Sequence, residues 1–547
     1  MLFKYRILVG SLGIVVLFWT FSLSNPLFQE SLSTVVYSSE GQLIGARIAA
    51  DEQWRFPASK HVPERFAQCL IYFEDEYFYT HPGFNPFSIL KATHANIFGI
   101  KKRGASTISQ QVIRLTRKNK NRSYTEKFIE LFLATRLEAG YSKDSILNLY
   151  TSNAPFGGNV VGLQAAAWRY FGIPAEDLSW GQSAALAVLP NAPAMVFPGK
   201  NQAVFKQKRD FLLKKLKDKS IIDDDTYQLA LQEALPGKPE ALPDLAPHYT
   251  EFLKNTKKGE TFETHINYQL QKQLHQITAD YYFHNQQKQI HNLAIVVQDV
   301  NSRAVIAYIG NAPTTAEHHK FVDVALSNRS TGSVLKPLLY AAALQEGLIL
   351  PHSLLADIPT SIDGYQPKNF EKQFKGALPA TEALSRSLNI PAVLLLKNYG
   401  LQRFYNQLQK IGLHSIKQEP DHYGLTLILG GAESNLLEIT NVYASMAATL
   451  NYYTKHSAQY RNAEFNTPKH KKSSVLNFGF PQSNPQVFAA GAIHSVFESL
   501  RATNRPAEEE YWELFQNAKP LAWKTGTSYG FKDAWAIGVN PDYAIGV

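Results

Sequence analysis

The sequence contains very little cysteine and comparatively little charge. Cys69 is the single cysteine among 547 residues, which excludes an internal disulfide framework and leaves the redox compartment open. Charged residues make up 18% of the chain and hydrophobic residues 45%, a composition typical of globular domains and not of a disordered tail. The net charge of +9 is modest for this length and is compatible with nucleic acid, an anionic membrane or a phosphate-bearing substrate.

Several kinds of motif are also absent from the sequence. It has no internal repeat, no low-complexity segment, no phosphate-binding P-loop and no recognisable nucleic-acid-binding module. The histidines His275, His284, His291, His318 and His319 lack the spacing of a zinc site. We therefore expect no metal and no nucleic-acid partner, and an anionic membrane with a phosphorylated substrate explains the positive charge better.

The N-terminus predicts a membrane anchor. Lys4 and Arg6 precede residues 7–23, a stretch without charge that spans about 26 Å as a helix, close to the hydrocarbon thickness of a bilayer. A cleavable signal peptide is the alternative, although its apolar region is usually only ~7–15 residues long. We favour a retained anchor, with the basic tip in the cytoplasm and the chain after Asn25 outside it.

The rest of the chain divides into a mainly helical half and an α/β or α+β half. Residues 60–230 show helical spacing of apolar residues, with Thr125 as a predicted N-cap and Gly140 as a predicted helix end. A proline-rich stretch at 235–249 marks a domain boundary. The remaining predicted elements are a hairpin at 34–48, a helix at 179–189 ended by Pro190, two strands within 293–310, helices at 335–347, 381–399 and 436–450, and strands at 534–539 and 543–547.

The first group of chemically suggestive residues lies in the helical half. Glu74 and Asp75 follow an apolar run and are surrounded by aromatic residues. Lys127 and Glu130 share one helix face, three residues apart. Two separated carboxylates beside cations suit glycosyl transfer with an anionic leaving group, whereas a solvated acidic turn and a solvated basic face are the alternative. The cations are Lys101, Lys102, Arg103, Arg114, Arg117, Lys118, Lys120 and Arg122.

A second group of residues lies in the α/β half. Ser333 and Lys336 are separated by one helical turn, so that a neutral amine could take the proton of the hydroxyl. This pair alone occurs by chance in many proteins. Two further motifs accompany it, "RSLN" with Ser387 and Asn389, and "WKTGTS" with Lys524, Thr525, Gly526 and Thr527. The three motifs together match the serine acyltransferases that include β-lactamases and penicillin-binding proteins.

Four stretches in the helical half resemble the glycosyltransferase domain of class A penicillin-binding proteins. They are "EDEYFYTHPG", "GASTISQQ", "SKDSILNLY" and "RYFG", in that order. The resemblance implies a lysozyme-like helical fold that polymerises lipid II. It makes Glu74 the base that deprotonates the acceptor sugar, with a carboxyl pKa raised by aromatic neighbours, and it makes Glu130 a second catalytic residue. The implied substrate-binding residues are Asp75, His81, Ser106, Thr107, Gln110, Gln111 and Lys127.

The resemblance also assigns roles in the second half. Ser333 is implied as the nucleophile on a D-Ala-D-Ala stem peptide and Lys336 as its base. Ser387 and Asn389 would relay protons and orient the peptide. Lys524 and Thr525 would bind the terminal carboxylate, with Gly526 and Thr527 as further implied substrate-binding residues. The backbone N–H groups of Ser333 and Thr527 would form the oxyanion hole. Five positions depart from the family pattern, namely Asn85, Glu126, Asn148, Ser152 and Gln182, which affects expected substrate affinity more than reaction class.

The sequence therefore predicts a multidomain, single-pass protein of the bacterial inner membrane with its catalytic domains on the periplasmic side. The expected partners are lipid II, the glycan strand, stem peptides and β-lactams. No cofactor is expected to be required, although Mg²⁺ or Mn²⁺ could assist glycosyl transfer. The alternatives are a glycan polymerase whose second domain binds β-lactam or stem peptide without cross-linking, and a non-catalytic scaffold.

The predicted domains follow from the same resemblance. They are an anchor at 1–24, a juxtamembrane hairpin at 25–49, a glycosyltransferase domain at 50–230, a linker at 231–292 and a transpeptidase domain with a central antiparallel sheet at 293–547. In the resembled family, the strand that carries Lys524 is followed by two more strands and a helix. Because the second of these strands reaches Val547 here, the resemblance leads us to expect that the second domain is incomplete at its C-terminal end.

Overall fold

The computed structural model describes residues 13–14, 16–87, 106–118, 123–190, 199, 201–503 and 519–547. The chain forms two compact units. The first comprises residues 1–35, 45–244 and 253–261, and the second comprises residues 36–44, 245–252 and 262–547. Near the start of the chain, strands β1 (Thr34–Tyr37) and β2 (Leu43–Arg47) lie side by side, which is the hairpin that the sequence predicted.

Residues 1–12 and 15 of the predicted membrane anchor lie outside the described residues. Of the uncharged stretch at 7–23, residues 13–14 and 16–20 are helical. None of the helices in the described part of the chain combines the length and the apolar character needed to cross a bilayer.

The first unit is mainly helical, as predicted. A small sheet joins β3 (Trp54–Arg55) in parallel to β5 (Val160–Val161), which pairs antiparallel with β4 (Pro155–Gly157). The helices are α1 (Glu64–Glu74), α2 (Ile108–Thr116), α3 (Tyr124–Gly140), α4 (Lys143–Asn153), α5 (Leu163–Phe171), α6 (Trp180–Ala187), α7 (Gln202–Asp218) and α8 (Asp224–Gln232).

Side-chain caps define where several of these helices begin. Ser123 accepts a hydrogen bond from the backbone N–H of Glu126 and is the N-cap of α3, so the prediction of Thr125 as the cap was wrong. Both residues can accept such a bond, and only the backbone conformation decides which one stands before the first turn. Helix α3 ends at Gly140 and α6 ends before Pro190, as predicted.

The core of the first unit is built around α1. Phe66, Cys69 and Leu70 on one face of this helix are fully buried, and α6, whose Ala184 and Ala185 are also buried, packs against it. Alanine side chains let the two helix backbones approach closely. This packing fixes the C-terminal end of α1, where Glu74 lies.

The predicted linker at 231–292 contains regular structure. It holds α9 (Pro247–Thr256), β6 (Thr261–Glu263) and α10 (Tyr268–Asn285). Leu270 and Leu274 of α10 pack on the buried side chains of Ile295 and Val297 in the following strand, so α10 covers one face of the sheet in the second unit.

The second unit contains the predicted antiparallel sheet. Its strands are β7 (Ile295–Asp299), β8 (Val305–Ile309), β15 (Ala522–Thr527), β16 (Ala534–Val539) and β17 (Tyr543–Gly546), in the order β15-β16-β17-β7-β8. Short strands β9 (Arg329–Ser330) and β12 (Glu433–Ser434), β10 (Leu354–Asp357) and β11 (Gly376–Pro379), and β13 (Tyr460–Arg461) and β14 (Pro481–Gln482) form three separate pairs.

Helices pack on this sheet and carry the predicted motifs. One predicted helix, 381–399, is in fact two helices, because the chain breaks at Ser387, which adopts a left-handed φ of 55°. The helices are α11 (Lys336–Gln345), α12 (Ala380–Ser385), α13 (Asn389–Tyr399), α14 (Leu401–Lys410), α15 (Pro420–Tyr423), α16 (Leu436–Lys455) and α17 (Ala490–Arg501).

Candidate active sites

The first site lies where α1 ends and α2 begins. Glu74 is the last residue of α1, and Thr107 caps α2 by accepting a hydrogen bond from the N–H of Gln110. Gln110 accepts in return from the backbone N–H of Thr107 at 3.0 Å, which completes a capping box. The Thr107 hydroxyl also donates to the carbonyl of Gly83 at 2.7 Å. Thr107 and Gln110, predicted to bind substrate, therefore have structural partners.

Asp75 and His81 form a buried pair beside Glu74. The N–H of Gly83 donates to Nδ1 of His81 at 3.2 Å, so in neutral His81 the proton resides on Nε2 and is donated to Asp75 at 3.0 Å. Asp75 also accepts from the backbone N–H of Ile108 at 3.0 Å. The Asp75 carboxylate therefore ties the motif after α1 to the first turn of α2.

Glu74 itself is half-buried and contacts the second motif. Its Oε2 accepts a hydrogen bond from the Gln111 side chain at 2.8 Å. Gln111 in turn accepts from the hydroxyl of Tyr150 at 3.3 Å. Burial raises the pKa of Tyr150 well above its ordinary value, and the negative charge of Glu74 adds to this effect. Tyr150 thus stays a neutral donor that orients Gln111 toward Glu74.

The second predicted carboxylate is held by an arginine. Glu130 is 6% exposed and accepts hydrogen bonds from Nε and Nη2 of Arg114 at 2.9 and 2.8 Å. The hydrogen bonds with Glu130 are the largest cause of the raised pKa of Arg114. Arg114 also donates to the hydroxyl of Ser106 at 3.2 Å. This bidentate pair fixes Glu130 and brings a permanent cation to the site.

The structure brings the first group of predicted residues together on α1, α2 and α3. Lys127 lies exposed on the first turn of α3, and Arg117 pairs with Glu126. The predicted cations Lys101, Lys102, Arg103, Lys120 and Arg122 lie outside the described residues.

Four positions that depart from the family pattern form local contacts. The Ser152 hydroxyl donates to Asn148 at 3.2 Å, and Asn148 donates to the carbonyl of Ser59 at 2.9 Å. Gln182 completes a capping box with Ser179 at the start of α6. These residues serve local structure, and Glu126 likewise forms the ion pair with Arg117.

The second site is built around the start of α11. Ser333 lies half-buried one turn before this helix and lines a cleft of about 820 Å³ together with Ser387, Asn389, Thr525 and Thr527. Among the described residues, the Ser333 hydroxyl has no hydrogen-bond partner. A nucleophile that opens into a cleft of this size is accessible to a peptide.

Lys336 is fully buried and has only neutral oxygen partners. Its Nζ donates to the carbonyl of Ser387 at 2.8 Å and to Oδ1 of Asn389 at 2.7 Å. Burial lowers the pKa of Lys336 well below its ordinary value, and the positive charge of Lys524 lowers it further. The lowered pKa favours the neutral form of this amine, which can accept the proton of a serine hydroxyl.

Lys524 lies on β15 and points toward the same group. Its Nζ donates to the Ser387 hydroxyl at 2.7 Å and to the carbonyl of Thr525 at 2.6 Å. Burial lowers the pKa of Lys524 to about 7. Ser387 therefore lies between two lysines, and its left-handed backbone is the feature that places it there.

Close backbone contact explains the glycines of the second site. A Cβ on Gly526 would lie 2.8 Å from the carbonyl oxygen of Thr331, and one on Gly332 would lie 2.6 Å from the backbone nitrogen of Thr527. Strand β15 therefore runs directly against the segment that carries Ser333. This places the backbone of Thr527 beside that of Ser333, as an oxyanion hole requires.

Sequence reasoning missed Asn369 as a residue of this site. Its Oδ1 accepts from the backbone N–H of Asn389 at 2.9 Å, and its Nδ2 donates to Asp357 at 2.6 Å. Asn369 thus fixes the start of α13 and lines the cleft. No pattern marks this residue, because it lies in an irregular segment and reaches Asn389 only through the fold. Arg114 was seen only as part of a basic face, and its spacing to Glu130 gave no signal of their pairing.

Within the described residues, no group of three or more His, Cys, Asp and Glu side chains is placed to hold a metal ion. Cys69 is buried in the core of the first unit, and burial raises the pKa of its thiol.

Comparison with known proteins assigns each unit to a family. Residues 40–217 match the family Transglycosylase, and residues 293–546 match the family described as penicillin binding protein transpeptidase domain. The first match contains α1 to α4 and the Glu74 site. The second contains the three motifs around Ser333.

Individual relatives align across both matched regions of the chain. The chain is 33% identical over 527 residues to penicillin-binding protein 1C of Escherichia coli, which covers 95% of this chain and 65% of that protein. It is 25% identical to penicillin-binding protein 4 of Bacillus subtilis, with 94% of this chain and 86% of that protein covered. The chain therefore spans about two thirds of the length of the first relative.

A solved structure supports the fold. The crystal structure of penicillin-binding protein 1A from Haemophilus influenzae aligns with a TM-score of 0.51 at 18% identity, covering 95% of this chain and 88% of that chain. The order of the two domains, the motifs within each and the sequence relatives agree, and the chain belongs to the class A penicillin-binding proteins.

Proposed function

We propose that this protein is a bifunctional peptidoglycan synthase, which polymerises lipid II into glycan strands and cross-links their stem peptides. The observation that carries the proposal is the buried amine of Lys336, held by Ser387 and Asn389 one turn after Ser333. A buried lysine without a carboxylate partner is costly to a fold, and a scaffold would gain nothing from it. The separate Glu74 site supports the second activity.

In the glycosyltransferase site, Glu74 acts as the base that takes the proton of the acceptor hydroxyl. Gln111 holds one of its carboxylate oxygens at 2.8 Å and so orients the other toward the substrate. Glu130 and Arg114 lie beside the donor, where the guanidinium stabilises the departing pyrophosphate. Ser106 and Lys127 complete the binding surface, and the buried pair of Asp75 and His81 holds the segment next to Glu74 in position.

In the transpeptidase site, Ser333 attacks the carbonyl between the two terminal D-alanines of the donor peptide. Lys336 takes the hydroxyl proton, and the terminal D-alanine leaves with a proton relayed through the Ser387 hydroxyl, while Asn389 holds Lys336 and orients the peptide. Lys524, Thr525 and Gly526 receive the terminal carboxylate, and the N–H groups of Ser333 and Thr527 stabilise the oxyanion. The resulting ester then reacts with an amine of a second strand or with water, the second outcome being carboxypeptidase activity.

We also propose that the protein is held in the inner membrane by a single helix within residues 1–24, with both catalytic units on the periplasmic side. The support is the uncharged stretch at 7–23 behind Lys4 and Arg6. Membrane fractionation of the full chain and of a variant lacking residues 1–24 tests this proposal. Recovery of that variant in the membrane fraction to the same extent would contradict it.

The decisive experiment for the function incubates the full chain with labelled lipid II and resolves glycan length and cross-links. Glycan strands with cross-links support both activities. Long strands without cross-links, together with penicillin labelling of Ser333, would favour a polymerase with a binding domain, and neither product would favour a scaffold. Parallel reactions with EDTA and with added Mg²⁺ or Mn²⁺ test our proposal that no cofactor is required and that a divalent cation can assist glycosyl transfer.

A further inference from the structure

Two exposed phenylalanines meet at the cleft of the second unit. Phe370 lines the cleft that contains Ser333, and its ring lies 5.9 Å from the ring of Phe531 in an edge-to-face arrangement, with an interplanar angle of 85°. The two rings nevertheless remain 76% and 74% exposed. They come from different segments, one between β10 and β11 and the other just after β15.

Both segments are fixed to the catalytic elements. Asn369, next to Phe370, accepts hydrogen bonds from the backbone N–H groups of Asn389 and Ile390 at 2.9 and 3.3 Å, and it is only 5% exposed. The first ring is therefore attached to the start of α13, which carries a predicted catalytic residue.

The second ring is held by a tight turn. The Phe531 N–H donates to the carbonyl of Ser528 at 3.1 Å, and the Ser528 hydroxyl accepts from the N–H of Asp533 at 2.8 Å. Phe531 has a left-handed φ of 57°, a conformation that is unfavourable for a bulky side chain. The turn keeps this strained residue where its ring reaches Phe370.

We propose that Phe370 and Phe531 form an aromatic bridge across the Ser333 cleft, which shields the acyl-enzyme from water and favours its reaction with an amine over hydrolysis. This inference rests on the proposed transpeptidase function. The bridge joins the wall that carries Asn389 to the wall formed by the end of β15. Apolar rings beside the ester exclude disordered water and so slow hydrolysis. A bound acceptor amine is positioned by its own peptide, so the rate of aminolysis is lowered less.

The two competing reactions consume the same ester. In aminolysis, the acceptor nitrogen attacks the carbonyl carbon, an amide forms, the bond to Ser333 Oγ breaks, and this oxygen takes the proton that the amine loses. In hydrolysis, water attacks the same carbon, a carboxylic acid forms, and Ser333 Oγ regains a proton from the water. No oxidant or further reactant is needed, and the ratio of the two products measures the shielding directly.

The test uses the full chain with a D-Ala-D-Ala donor peptide and a stem peptide that carries a free side-chain amine as the acceptor, at one fixed acceptor concentration. Mass spectrometry gives the ratio of aminolysis product to hydrolysis product. We expect Phe370→Ala and Phe531→Ala each to lower this ratio roughly twofold to tenfold, the range of aromatic-pair effects. Because either change removes the bridge, the double variant should lower it no further than the stronger single variant.

The chain offers a matched control. Tyr529 lies two residues before Phe531 and is fully exposed, so Tyr529→Ala should leave the ratio at the parental value. Phe370→Tyr keeps the ring and should also retain it. The rate at which a fluorescent penicillin labels Ser333 should be unchanged in all these variants, which shows that the site remains folded.

Several outcomes would overturn the inference. An unchanged ratio in both alanine variants would exclude shielding, and an equal loss of both products would indicate that the rings bind the donor peptide. A ratio lowered as strongly by Tyr529→Ala would show a general loop effect. A parent chain that forms neither product overturns the proposed function and the inference with it, whereas normal labelling with an unchanged ratio overturns the inference alone.

Discussion

The two candidate sites differ in whether their buried ionisable groups have charged or neutral partners. In the first unit, buried charges are paired: Asp75 contacts His81, and Glu130 accepts two hydrogen bonds from Arg114. In the second unit, Lys336 and Lys524 are 0% and 2% exposed, and their hydrogen bonds go to neutral oxygens.

This difference matches the chemistry proposed for each site. A departing pyrophosphate needs permanent positive charge, which a paired arginine retains at any physiological pH. Proton transfer from a serine needs a neutral amine, and burial beside a second lysine favours the neutral form of Lys336 by lowering its pKa. Arg114 therefore keeps its positive charge at any physiological pH, whereas burial lowers the pKa of Lys524 to about 7, so the charge of the second site changes near neutrality.

The substitution Glu74→Gln should separate the activities of the two sites most clearly. We expect glycan polymerisation to fall by about 10²-fold to 10⁴-fold, the usual contribution of a general base, because an amide cannot take the acceptor proton. Penicillin labelling of Ser333 should persist, since the two sites lie in separate units. Polymerisation of lipid II near the parental rate would show that Glu74 is not the base.

The second prediction concerns pH. Burial places the pKa of Lys524 at about 7, so this amine is charged below that pH and loses its charge as the pH rises through it. Acylation by an anionic penicillin, measured as the second-order rate constant, should therefore decline above about pH 7. A penicillin ester without the carboxylate is the control and should show no such decline. Identical pH profiles for the two compounds would contradict the proposal that Lys524 binds the carboxylate.

A third prediction breaks the pairing in the first site. Arg114→Ala leaves the buried carboxylate of Glu130 without its cation and should destabilise the first unit by about 3 kcal/mol. Limited proteolysis with mass spectrometry should detect faster cleavage within α2 and α3, whereas the cleavage rate in the second unit should not change. The double variant Arg114→Met, Glu130→Gln removes both charges and should recover most of the stability. Equal cleavage of the single and double variants would show that the lost charge pairing is not the cause.

The smallest expected effect concerns a departure from the family pattern. Ser152→Ala removes the hydrogen bond to Asn148 and should cost about 1 kcal/mol of unfolding free energy. The polymerisation rate should change little, because neither residue contacts Glu74 or Glu130. A large loss of polymerisation at unchanged stability would instead place Ser152 in substrate binding.

Much of the organisation was predictable from local pattern. Helical spacing predicted α3 and α6, alternation and a turn predicted β7 and β8, and the motif order predicted both domain types. The errors are also local. Ser123, and not Thr125, caps α3. The helix predicted at 381–399 is interrupted at Ser387. Helix propensity could not predict this interruption, because tertiary contacts hold Ser387 in its left-handed conformation.

The sequence by itself determined which residue types are available for chemistry, since Glu74, Ser333, Lys336 and Lys524 lie in motifs whose spacing is visible without coordinates. Only the tertiary structure decided their ionisation and their neighbours. The pKa of Lys336 is lowered because the fold removes it from water and places Lys524 nearby. Asn369 and Phe370 join the site because the segment between β10 and β11, which is distant from the motifs in sequence, lines the cleft. Burial and long-range contact are properties of the packed chain, so no local pattern can encode them.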